Sequence, residues 1–122
     1  MKVYGYCRIS TSKQSMERQI RNIKLAYPDA VIVKETYTGT KIQGRKEFEK
    51  LLKIVSTGDT LVFDSVSRMS RTAQEGYEMY QKLYNQGVSL VFLKEPHINT
   101  STYQQAMENQ LSVNVKTGDQ AS

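Results

Sequence analysis

The chain has one cysteine, one histidine, two prolines and no tryptophan among its 122 residues. A lone Cys7 excludes an internal disulfide and any multi-cysteine zinc cluster, and His97 has no second histidine to help it bind zinc. No apolar run approaches the ~18 residues that a membrane span requires. The opening Met1-Lys2-Val3-Tyr4-Gly5-Tyr6 lacks the charged region, apolar stretch and small-residue cleavage site of a secretory leader. A reducing cytoplasm is therefore the expected setting, with no membrane partner. Neither G-x-x-x-x-G-K-[ST] nor G-x-G-x-x-G occurs, which removes the main signatures of nucleotide-binding folds. No G-x-S-x-G elbow accompanies His97, so a hydrolase triad lacks support. Cys7 ends an apolar segment as the cysteine phosphatases' nucleophile does, but their C-x5-R loop needs arginine at position 13, where this chain has Lys13. No internal repeat is present.

What remains is enough for one domain: 39% hydrophobic residues, with eight tyrosines supplying most of the aromatic weight. The net charge of +5 is unevenly spread. Residues 1–71 hold 14 Lys/Arg against 7 Asp/Glu, and residues 72–122 hold 3 against 5. Every arginine (Arg8, Arg18, Arg21, Arg45, Arg68, Arg71) lies in the first part. Such a bias suits a polyanionic partner on one face. It also suits ordinary solvated helix faces, and the count alone leaves both readings open.

The apolar pattern alternates strand and helix. Lys2–Arg8 reads as a strand with Val3, Gly5 and Cys7 on one face and Tyr4 and Tyr6 on the other. Met16, Ile20, Ile23 and Tyr27 form one helical stripe, ended by Pro28-Asp29. Ala30–Lys34 is a β-branched strand, and Glu35–Gly44 reads as a polar loop. Phe48, Leu51, Leu52 and Val55 mark a second helix stopped by Gly58, and Thr60–Phe63 a third strand. Ala73, Tyr77, Tyr80 and Tyr84, with Leu83, mark a third helix stopped by Gly87; Val88–Leu93 is the fourth and most apolar strand. The tyrosine stripe is expected to serve core and subunit contact rather than base stacking. After Pro96 the pattern decays, with a short helix over Tyr103–Leu111 and a disordered or unfinished Ser112–Ser122. Successive βα units imply an α/β fold, a mainly parallel sheet of four or five strands with helices on both faces. The expected organisation is one domain over residues 1–103 and an incomplete or poorly ordered segment over 104–122.

In such sheets ligands collect at the carboxyl ends of the strands. The first strand runs into Arg8-Ile9-Ser10-Thr11-Ser12, and the third leads through Asp64-Ser65-Val66-Ser67 into Arg68-Met69-Ser70-Arg71. Parallel strands would bring both segments to one edge, placing a serine hydroxyl beside three guanidinium groups. Arginine forks suit the non-bridging oxygens of a phosphodiester under attack. Taken alone, Ser10 is more often a helix cap than a nucleophile. Arg68 and Arg71 read as standing at a helix start, where positive charge opposes the helix dipole, and that placement favours a functional role. Arg18 and Arg21 read as a solvated face. Cys7 reads as a small buried hydrophobe, and His97 as exposed or structural.

These segments carry a resemblance. Tyr6-Cys7-Arg8-Ile9-Ser10-Thr11, followed by Gln14 and Gln19, is similar to the Y-x-R-[VI]-S-T…Q…Q opening of the serine recombinases, the group of resolvases, invertases and serine integrases. Tyr37-Thr38-Gly39-Thr40 through Arg45 resembles that family's S-G loop and the arginine opening its next helix. Gly58-Asp59-Thr60-Leu61 with Ser67-Arg68-Met69-Ser70-Arg71 resembles its G-D-x-L…D-R-L-x-R segment, and Asn99-Thr100-Ser101-Thr102 the region after its last central strand. The match runs in order over residues 3–102. It implies a flavodoxin-like three-layer fold and a transesterification without metal or cofactor. Ser10 would attack a DNA phosphate, leaving a 5′-phosphoserine link and a 3′-hydroxyl. Arg8, Arg68 and Arg71 would bind the phosphate, Gln14 and Gln19 would support catalysis, and Arg45 and Thr38 would contact the phosphate. The implied partner is double-stranded DNA at a recombination site, met by a homodimer that forms a synaptic homotetramer when active.

Two departures stand out. The family's Asp before the first arginine of D-R-L-x-R is Ser67, with Asp64 three residues away as a possible substitute and Glu35 as the upstream acid. Family members also continue into an arginine-bearing helix and a DNA-binding domain, whereas no arginine follows Arg71 here. The expectation is that residues 1–122 alone do not cleave DNA efficiently. The competing reading is a catalytically impaired phosphate- or nucleic-acid-binding module with the same fold.

Overall fold

The first strand, β1 (Val3–Ile9), is hemmed in on both faces: every residue from Tyr4 to Ile9 is buried. The computed structural model describes residues 1–9, 13–36, 45–70 and 72–102, with Lys13 and Gln14 as backbone only. In chain order β1 is followed by α1 (Lys13–Ala26), β2 (Val31–Thr36), α2 (Lys46–Ile54), β3 (Thr60–Phe63), a short α3 (Val66–Met69), α4 (Ala73–Asn85), β4 (Ser89–Phe92) and a 3-10 turn at Pro96–Ile98. The four strands form one parallel sheet in the order β2-β1-β3-β4. This is an α/β fold of the doubly wound kind, and the reversal of strand order opens its crevice between β1 and β3.

Strand alternation sorts the core into two layers. Tyr4 and Tyr6 of β1 join Leu61, Phe63, Leu90 and Phe92 beneath Phe48 and Leu51 of α2, Met69 of α3 and Leu83 of α4. On the other face Cys7 and Ile9 meet Met16 and Ile23 of α1, with Ala30 and Val62. The first layer holds the aromatic rings, with Phe63 stacked on Phe92 at 5.3 Å and Tyr6 tilted on Phe48 at 4.7 Å. Complete burial of each such ring contributes roughly 1.5–3 kcal/mol. Glycine is required where α1 crosses β1. A Cβ on Gly5 would stand 2.7 Å from Ile23 Cγ2 and 3.0 Å from Ile32 Cδ1. Gly5→Ala is therefore expected to lower stability by about 1–3 kcal/mol, read as an earlier urea midpoint with an unchanged slope.

Three expectations shift. β2 runs on through Thr36, so Glu35 is a strand residue rather than the start of a loop. The α4 stripe is rotated: Gly76 and Leu83 are buried and Tyr80 is half-buried, but Tyr77 is 65% exposed. Asn99 and Thr100 cover the outer edge of β4, where Asn99 Oδ1 accepts from Phe92 N at 2.7 Å and Thr100 Oγ1 from Leu90 N at 2.8 Å. Two side chains thus take the hydrogen bonds of two outward-facing N–H groups of β4. Gly58 and Asp59 are likewise architectural. Gly58 turns at φ +94°, and Asp59 accepts from the N–H groups of Lys2 and Ser56, which ties the start of β1 to the start of β3. Those bonds hold the Asp59 carboxyl below its usual range.

Candidate active site

Beyond Tyr6, β3 no longer pairs with β1. The free edge of Arg8 is taken by a side chain instead. Gln19 of α1 accepts from Arg8 N with Oε1 at 3.1 Å and donates to Arg8 O with Nε2 at 3.2 Å. A glutamine amide presents an acceptor and a donor side by side, as a neighbouring peptide would. Gln19 is 1% exposed, so this contact, rather than a surface role, accounts for the glutamine. It fixes the backbone one residue before Ile9, the last residue of β1.

Arg8 lies two residues beyond Tyr6, on the same face of β1, and so projects towards α2, α3 and α4. It is 5% exposed and donates through Nη2 to the carbonyl of Ser67. Arg68 reaches back, donating through Nη1 to Arg8 O at 3.2 Å. Arg45, immediately before α2, donates through Nη2 to Arg68 O at 3.3 Å and through Nη1 to Glu75 Oε1 at 3.1 Å. Three guanidinium groups from distant stretches of chain are thereby interlaced, each held by a backbone carbonyl of the 67–68 turn or of Arg8. Nε of Arg68 and Nε of Arg45 are buried with no hydrogen-bond partner among the described residues. Buried cationic donors of this kind are costly unless an acceptor arrives.

The placement of Arg68 overturns one argument made from the sequence. Arg68 lies in the last turn of α3, and α4 begins separately at Ala73, capped by Thr72. Positive charge there suits the helix dipole, so dipole opposition says nothing about function. The turn is held by Glu95, whose Oε1 accepts from Val66 N at 2.9 Å. Ser67 is exposed and pairs its hydroxyl with that of Ser65 at 2.7 Å. Asp64 is engaged elsewhere, by Asn22 at 3.0 Å and Lys94 at 3.3 Å, and does not replace the family carboxylate at position 67.

Glu35 has a role that its sequence context did not reveal. Its carboxylate accepts from the N–H groups of Glu47 and Phe48 in the first turn of α2, and from the Tyr6 hydroxyl at 3.0 Å. It anchors the helix start beside Arg45, whose guanidinium lies 4.2 Å from the Phe48 ring. Burial pushes the Tyr6 hydroxyl far above its ordinary range, so it remains a donor to Glu35. Cys7 is fully buried and desolvation pushes its thiol up to about 12. A thiol reagent should leave Cys7 unmodified until the protein unfolds; labelling at the native-state rate of an exposed cysteine would reopen a thiol nucleophile.

Arg8, Gln19, Arg45 and Arg68 thus converge, while Arg18 and Arg21 stay on the exposed face of α1 and His97 is exposed. Ser10, Thr38, Arg71 and the side chain of Gln14 lie outside the described residues. Among the carboxylates around the cluster, Glu75 also carries a sequence signal, since Thr72-x-x-Glu75 has capping-box spacing.

Residues 3–116 match the family model described as the resolvase N-terminal domain. The chain belongs to the resolvase family. It is 32% identical over 107 residues to the transposon Tn21 resolvase of Escherichia coli, covering 86% of this chain and 53% of that protein. Against the transposon Tn501 resolvase of Pseudomonas aeruginosa the identity is 34% over 93 residues, covering 75% and 46%. The chain spans about half the length of these resolvases. A crystal structure of a resolvase family site-specific recombinase from Streptococcus pneumoniae superposes with a TM-score of 0.61 at 26% identity, covering 99% of this chain and 95% of that one. No described helix is long and apolar enough to cross a membrane.

Proposed function

We propose that residues 1–103 form the catalytic domain of a serine site-specific DNA recombinase. The interlaced Arg8, Arg45 and Arg68 at the crevice between β1 and β3 carry this reading. Three permanent cations in one crevice repel one another, and a phosphodiester is the anion that relieves the repulsion. Ser10, directly after β1, supplies the nucleophile. Its oxygen bonds to phosphorus as the bond to the 3′-oxygen breaks, giving a 5′-phosphoserine and a free 3′-hydroxyl. The serine proton is lost and the leaving oxygen gains one, so no net acid or base is consumed. One phosphoester replaces another, and reversal rejoins the strand without a cofactor or metal.

Arg8, Arg68 and Arg71 stabilise charge on the non-bridging oxygens. Gln14 and Thr38 border the phosphate, and Gln19 braces the strand end that presents Arg8. The partner is double-stranded DNA at a recombination site, bound in the cytoplasm by a homodimer that pairs into a synaptic tetramer. The test uses the whole protein and a suicide substrate, a nicked duplex whose cut end diffuses away. A covalent protein–DNA adduct is the expected result. DNA binding with no adduct would favour the impaired binding module, for which the loss of the family carboxylate at Ser67 is the one supporting observation.

A further inference from the structure

Thr72 and Glu75 have the spacing at which a glutamate turns back to the N–H of its own cap residue. Half of that arrangement forms, with Thr72 Oγ1 accepting from Glu75 N at 3.1 Å. The carboxylate does not complete it. Glu75 Oε1 instead takes Arg45 Nη1 at 3.1 Å, across 30 residues of chain. The Arg45 side chain is only 14% exposed and Glu75 is 43% exposed, so the ion pair sits at the mouth of the cluster with its cation inside. A half-exposed pair of this sort contributes little to stability. Its effect is geometric. With Nη1 fixed by Glu75 and one face on Phe48, Arg45 directs Nη2 at the carbonyl of Arg68.

We infer that Glu75 is a positioning residue, acting through Arg45 on Arg68. The relay runs from the first turn of α4, through the residue that opens α2, to the backbone of α3 and then by Arg68 Nη1 to the carbonyl of Arg8. It couples the orientation of α4 to the two arginines proposed to grip the phosphate. Arg45, held through Nη1 by Glu75 and through Nη2 by Arg68 O, acts here as a strut, with its buried Nε the donor left over for an arriving acceptor. The inference rests on the recombinase reading for its meaning, but its geometry is testable without activity.

The whole protein is compared as wild type, Glu75→Ala, Glu75→Gln, Arg45→Ala and the double variant. In ¹H–¹⁵N spectra of the arginine Nε–H groups, Glu75→Ala is expected to move the signals of both Arg45 and Arg68 while those of Arg18 and Arg21 stay in place. On the suicide substrate, Glu75→Ala is expected to slow single-turnover cleavage about tenfold, with Glu75→Gln recovering part of the rate through its retained acceptor oxygen. The double variant should be no slower than Arg45→Ala, since Glu75 has nothing left to act through. An unmoved Arg68 signal overturns the relay, as do additive losses in the double variant. A wild-type protein that forms no adduct overturns the recombinase reading instead, and the spectra then decide the relay alone.

Discussion

Ser10→Ala is expected to abolish the covalent DNA adduct, lowering cleavage by at least about 10⁴-fold while DNA affinity changes only a few fold. The asymmetry between rate and binding follows from the division of labour in the crevice. On the proposed reading, affinity comes from cations that neutralise phosphates, and the substitution leaves those in place. Cys7, three positions before Ser10, points into the α1 layer and is held as a protonated thiol by burial. Thr11 and Ser12 are the remaining neighbours, so Thr11→Ala and Ser12→Ala are the informative controls, and both should still form the adduct. An adduct that survives Ser10→Ala but disappears with Ser12→Ala would move the nucleophile. One that requires Cys7 would replace the chemistry altogether.

How much of this was legible in the sequence depends on the range of the interaction involved. All four strands and the three longer helices follow from local periodicity. Tyr4/Tyr6 and Cys7/Ile9 fall on opposite faces of β1 because alternation is a property of neighbouring residues. The short α3 is not legible in the sequence because four residues cannot show a period, and its N-terminus is held by Glu95, 29 positions away. On α4 the sequence does not tell which tyrosines of the stripe face the core and which stay exposed. The close approach of Ser70 instead demands the small Gly76, where a Cβ would stand 2.6 Å from Ser70 Oγ, and this rotates Tyr77 outwards.

For the site, residue types were readable and partners were not. Arg8 and Arg68 stood out beside Ser10, but nothing local shows that Arg68 binds the carbonyl of Arg8 across 60 positions. The sequence leaves Gln19 open between surface and support, and the deciding contact is tertiary: its amide pairs with both backbone polar groups of Arg8. Glu35 drew notice as an acid near the site, yet it acts as the cap of α2. The matched segments are thus of mixed meaning. Gly58-Asp59 and Asn99-Thr100 hold the sheet together, and the arginine segments form the crevice.

Arg68→Ala is expected to slow cleavage by about 10²–10³-fold, the cost of removing one preorganised donor from a developing oxyanion. Arg68→Lys should recover little of this. A lysine can supply the charge but not the planar fork that would engage a phosphate while Nη1 stays on the carbonyl of Arg8. Arg68 also braces Arg8, so a purely structural loss has to be separated from a loss of charge stabilisation. A scissile phosphate carrying a methyl group in place of one non-bridging oxygen makes that separation. Such a substrate has no full negative charge for the guanidinium to match, and the penalty of Arg68→Ala should shrink to less than about tenfold on it. The salt dependence of DNA binding adds a second criterion, because one lost phosphate contact reduces the slope by about 0.9. A penalty that is the same on charged and neutral phosphates would leave Arg68 as a brace for the strand end and remove it from the transition state.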